Sequence, residues 1–82
     1  MGDFWTYLIY NGLLLTVIQD YQGGNNPIYI GQALPGSSLT NASWRILKNT
    51  YNGSGQLTNV QWSPLAATFG DIWNNRTSLV YN

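Results

Sequence analysis

The chain has 82 residues and a formal net charge of zero, with three basic and three acidic side chains in all. Charged residues make up 7% of it, against about 25% in an ordinary soluble domain. A basic groove for phosphates or a paired-carboxylate site therefore has almost nothing to be built from. Neither cysteine nor histidine occurs, which removes disulfides, thiolate nucleophiles, imidazole bases and the usual zinc ligands.

No segment holds a helical period. Short β-branched and aromatic runs broken by Gly, Pro and Asn predict an all-β protein. The first run is "FWTYLIY", residues 4–10, followed by Asn11-Gly12, a strong signal for a type I′ hairpin turn. The second run covers residues 13–21. A two-residue turn sets Tyr10 opposite Leu13, Leu8 opposite Leu15 and Trp5 opposite Ile18. Both faces of this hairpin are largely apolar, so one face is expected to meet a partner chain.

After the loop "GGNNP" a third run covers residues 28–34, with Gly31 expected at a bulge or a point of close packing. Residues 35–43 read as a turn-rich loop. The stretch "WRILKNTYNGSGQLTNVQW" reads as a second hairpin centred on Gly53-Ser54. That centre places Asn52 opposite Gly55, Leu47 opposite Val60 and Arg45 opposite Trp62. Pro64 ends the strand. Phe69, Ile72 and Trp73, at i, i+3 and i+4, suggest one helical turn, and residues 77–81 read as a terminal strand. The expected architecture is a single small antiparallel β-sandwich or barrel of about six strands, one domain over residues 1–82, with at most one helical turn.

Within it, Phe4, Leu8, Leu15 and Val60 are expected in the packed interior. Trp5, Tyr7, Ile9, Trp44, Trp62 and Trp73 are expected as core or interface anchors. Arg45 should lie over the Trp62 indole, with Lys48 on the other face near Asn59, so the two cations form no patch. Arg76 is expected to tie the last loop to a carbonyl or to Asp71, and Asp20 and Asp71 read as turn and capping residues.

These residues argue against catalysis, since no base is available to activate the many Ser and Thr hydroxyls. They supply no metal site, because "QGGNNP" offers amides and carbonyls without carboxylates, and no cofactor is implied. Three basic residues balanced by three acidic ones cannot neutralise enough phosphates for nucleic-acid binding. No apolar run approaches the ~20 residues of a spanning helix, so no membrane partner is expected. The opening residues match a loose myristoylation pattern through Gly2 and Thr6, but Phe4 and Trp5 fit a strand better. Three glycosylation sequons, at Asn41, Asn52 and Asn75, are what a chain rich in Asn, Ser and Thr produces by chance.

Disorder does not explain the low charge, because 44% of residues are hydrophobic and 15% aromatic. Solubility as a free monomer normally relies on net charge well away from zero. Tyr, Trp and uncharged polar residues are instead typical of protein–protein interfaces. A non-enzymatic protein, much of whose surface is covered by another protein, is the expectation. The alternative is a small carbohydrate-binding, lectin-like module, in which Trp44, Trp62 and Trp73 stack on a glycan beside Asn49, Asn59 and Asn74.

The segment "SWRILKNTYNGSGQLTNVQWSP" with "FGDIWNNRTSLVY" resembles a C-terminal pattern of small uncharacterised proteins of tailed bacteriophages. The matching residues are Trp44-Arg45-Ile46, Thr50-Tyr51, Gly53 or Gly55, Trp62, Phe69, Trp73 and Asn75-Arg76. The lead-in "NPIYIGQALPGS" is similar too, so the resemblance covers residues 27–81. The chain departs from the pattern between Trp62 and Phe69, where "SPLAAT" replaces an acidic, Gly-containing turn. The resemblance implies a virion setting, as a capsid decoration or cement protein or as a neck, tail or fibre-associated component. Its partners would be copies of itself and other virion proteins. No catalytic residue carries over.

Overall fold

The computed structural model describes residues 4–10 and 12–82. Five strands, β1 (Phe4–Tyr10), β2 (Leu13–Asp20), β3 (Tyr29–Ala33), β4 (Ala42–Tyr51) and β5 (Leu57–Trp62), form an antiparallel meander in that order. A sixth, β6 (Asp71–Ile72), pairs with the beginning of β4. The long β4 therefore organises the sheet, with β3, β5 and β6 all bonded to it. The described residues form no α-helix, only 3-10 segments at Ala66–Thr68 and Trp73–Ser78.

The first hairpin has the register its sequence predicts, with Tyr10 opposite Leu13, Leu8 opposite Leu15 and Trp5 opposite Ile18. Gly12 takes a positive φ of 76°, as the turn requires, while Asn11 lies outside the described residues. The second hairpin is displaced by two residues from expectation, because Leu47 faces Trp62 and Asn49 faces Val60. The Asn52 side chain causes the shift. Its Oδ1 accepts from the backbone N–H groups of Ser54 at 2.9 Å and Gln56 at 3.0 Å. The Asn52 N–H bonds the Gln56 carbonyl at 2.9 Å, so Asn52 closes on Gln56 instead of Gly55. The ladder then steps from Thr50–Asn59 to Tyr51–Leu57, leaving Thr58 as the extra residue of a bulge.

The C-terminal expectations also need correction. Phe69 caps the first 3-10 segment in the left-handed region, with φ of 53°, and Ile72 belongs to β6. No helical turn therefore unites Phe69, Ile72 and Trp73. Residues 77–81 form no strand, and only Trp62 and Asn82 exchange backbone bonds, both of 3.0 Å. Two ties hold this tail in another shape. The Tyr81 hydroxyl donates to the Arg76 carbonyl at 2.8 Å. Arg76 Nε in turn bonds Asp20 Oδ2 on β2 at 2.7 Å, within a largely buried ion pair. Arg76 also reaches the Trp73 carbonyl at 3.3 Å. Asp71 takes no part, because its Oδ2 accepts from the Leu65 N–H at 3.0 Å and closes the intervening loop.

The tail is pinned across one face of the sheet, where the core forms. Ile18, Tyr29, Ala33, Trp44, Ile46 and Trp73 are its buried members. Gly31 lies between Ile18 and Ile46 in the sheet, and a Cβ there would sit 2.5 Å from the Trp73 ring. The absent side chain is thus the space the indole occupies. Trp44 packs 6.0 Å from Trp73 and donates its Nε1–H to the Ser38 carbonyl at 2.9 Å. Leu15 is buried on the opposite face, but Leu8 and Val60, expected inside, are exposed. For Leu8 the reason is position: it lies on the outermost strand, whose single neighbour among the described residues is β2. The two-residue displacement leaves Val60 beside the widened turn. The Phe4 side chain falls outside the described residues.

Candidate functional site

Alternation along β1 sends Trp5, Tyr7 and Ile9 to the face that carries the core. Of the three, Trp5 reaches a buried ring, meeting Trp44 edge-on at 6.3 Å. Tyr7 and Ile9 are each 74% exposed and Trp5 is 49% exposed. Opposite Ile9 stands Leu14, also 49% exposed. The other face of the same hairpin shows Leu8, Tyr10 and Leu13 to solvent. No charged residue occurs between Asp3 and Asp20, so this apolar surface has no ionic interruption. Uncharged apolar surface of this kind is a candidate contact surface.

The main chain of β1 is open as well. The Asp20 carbonyl accepts from the Ile28 N–H at 2.8 Å, so Asp20 directs its backbone groups toward β3. By alternation, Leu13, Leu15, Val17 and Gln19 direct theirs toward β1. In β1, Thr6, Leu8 and Tyr10 answer them. Trp5, Tyr7 and Ile9 turn their N–H and C=O groups outward, where the described residues provide no further strand. The residues with exposed side chains on the core-bearing face are also those with free backbone groups.

Arg45 forms a second feature. Its guanidinium carbon lies 4.3 Å from the Tyr10 ring centre, 4.8 Å from Phe69 and 5.4 Å from Trp62. Nε donates to Gln32 Oε1 at 2.6 Å. The contact with Trp62 survives the shifted register because a displacement of two keeps both residues on one face. Each such cation–ring contact contributes roughly 0.5–2 kcal/mol, so Arg45 clamps β1, β3, β5 and the residue 69 loop together. A shallow recess of about 380 Å³ beside it is walled by Trp62, Ser63, Pro64 and Ala66. Lys48 lies on the opposite face, 5.9 Å from the Tyr81 ring.

The tryptophan platform that sugar binding would need is not assembled. Trp44 and Trp73 are fully buried, leaving Trp62 as the accessible one of the three. Asn49 is buried too, and its Nδ2 donates to the Pro27 carbonyl at 3.3 Å. Among the described residues no group of His, Cys, Asp and Glu could hold a metal ion, and no helix is long and apolar enough to cross a membrane.

Of the six expected anchors, the structure gathers Trp5, Tyr7 and Ile9 at the outer strand. It buries Trp44 and Trp73 and sets Trp62 against Arg45. Sequence reasoning named none of Leu14, Tyr10 and Phe69 as an anchor. For Leu14 the signal was present, since the predicted register already sets it opposite Ile9. Comparison with protein-family models, curated proteins and solved structures finds no match for the chain.

Proposed function

We propose that this protein is a non-enzymatic structural component that works in many copies, assembling through the apolar outer hairpin β1–β2. The supporting observation is an uncharged edge strand on which Tyr7 and Ile9 are each three-quarters exposed beside Trp5 and Leu14. Natural sheets usually guard such an edge with Lys, Pro, a bulge or a covering loop. This one has none among the described residues. The particle best suited to such a subunit is a tailed-phage virion, as a decoration, neck, tail or fibre-associated protein. That assignment rests on the sequence resemblance over residues 27–81.

The carbohydrate-binding alternative is less well supported. The exposed rings Trp5 and Tyr7 stand among Ile9, Leu14 and Thr16, not among amides. Sedimentation and a glycan array, run on the parent, Tyr7→Lys and Trp62→Ala, separate the two readings. Assembly predicts that Tyr7→Lys loses self-association and that the parent captures no sugar. Sugar capture by the parent, abolished in Trp62→Ala with sedimentation unchanged, would overturn the assembly reading.

A further inference from the structure

We infer that the occupant of the β1 edge is a second copy of this chain, paired antiparallel through β1 about a two-fold axis at Tyr7. The inference rests on the assembly reading and specifies its first contact. It follows from matching the groups that β1 leaves open.

The outward backbone groups belong to Trp5, Tyr7 and Ile9, three donors and three acceptors evenly spaced along the strand. An antiparallel partner centred on Tyr7 sets Tyr7 against its own counterpart and Trp5 against Ile9 in both directions. Every outward N–H and C=O then finds a partner, whereas a shift by two residues would leave some unmatched. The side chains agree with this register. Trp5 meets the aliphatic Ile9, the two Tyr7 rings lie side by side, and Thr6 faces Leu8 on the other surface. No like charges meet, because residues 4–19 carry no charge.

The area lies near the lower bound of a stable interface. An aromatic side chain buries roughly 150–250 Å², so the exposed parts of Trp5 and Tyr7 amount to roughly 250 Å² per copy. Ile9 and Leu14 add on the order of 200 Å² on the same basis. Doubled by symmetry and extended by the strand backbone, this approaches the ~1,200 Å² at which stable interfaces begin. The product is a continuous ten-stranded sheet made from the two five-strand meanders, which closes both exposed edges at once.

The absence of cysteine makes the register directly testable by single substitutions in the full chain. Tyr7→Cys places two thiols across the axis with Cα atoms about 5.5 Å apart, inside the usual disulfide span. Mild oxidation should convert it to a covalent dimer of twice 9.2 kDa. Ile9→Cys should not cross-link to itself, because its counterpart lies four residues along the strand, roughly 13 Å away. A mixture of Thr6→Cys and Leu8→Cys should give the mixed dimer, which tests the same register without altering Tyr7. Ile9→Lys, at a position exposed in the single chain, should leave the fold intact and weaken dimerisation at least tenfold. A protein that associates yet yields Ile9→Cys dimers, or none with either Tyr7→Cys or the mixed pair, would overturn this register and leave the assembly reading standing. A parent that stays a single chain at every concentration would overturn both.

Discussion

At the scale of single residues, Gly31 and the Asp20–Arg76 pair fix the tail against the sheet. Gly31 leaves room for Trp73, with a Cβ placed there meeting the indole at 2.5 and 2.7 Å and Ile18 Cγ2 at 3.1 Å. The Trp73 ring is enclosed and has nowhere to retreat. Gly31→Ala should therefore cost about 1–3 kcal/mol by overpacking, seen as a lower midpoint in urea unfolding. Asp20 gives the protein an acid limit. Burial acts to raise its pKa, but the Arg76 hydrogen bond, bonds from the Gln22 backbone and side chain, and the Arg76 charge outweigh it. The result is a carboxyl held below its ordinary 3.8. A depressed folded value means that the stabilisation is complete above pH 3.8 and is lost as pH falls through the folded value. Thermal unfolding from pH 6 down to pH 2 should show this loss, and Asp20→Asn should flatten that part of the profile. An unchanged profile in the variant would remove the pair from the account.

Among the elements, the two hairpins show what a sequence can and cannot specify. The first was legible because Asn11-Gly12 is short and demands one geometry, so register follows from the turn alone. In the second, Asn52 accepts two backbone N–H bonds with its own side chain and widens the loop. A strand pattern with period two cannot detect a displacement of two. That is why the Arg45–Trp62 contact was legible although the pairing was not. Asn52→Ala should cost about 1 kcal/mol through the lost loop bonds; no change in the unfolding midpoint would count against this role. Residues 77–81 have strand-forming composition, yet the Arg76 ties to Asp20 and Tyr81 hold them otherwise. A partner 56 positions away in sequence leaves no local trace. The anchors on β1 were legible as residues, but their exposure depends on which part of the sheet the core covers, which is a tertiary fact.

For the whole molecule, six charged side chains must serve 82 residues, and two of them, Asp20 and Arg76, are consumed in a largely buried pair. A third, Arg45, lies among three rings. Little charge is left to keep copies apart, while the outer strand offers both apolar side chains and free backbone. Self-association is the consequence we propose, and the proposed structural role rests on it. Because the contact strand has no charge, the association should hardly respond to salt, unlike contacts made by exposed ion pairs. The most direct measurement is the mass in solution by light scattering across a dilution series. Self-association predicts at least twice 9.2 kDa at high concentration, falling toward a single chain only on strong dilution. A soluble species of 9.2 kDa at every concentration would contradict it.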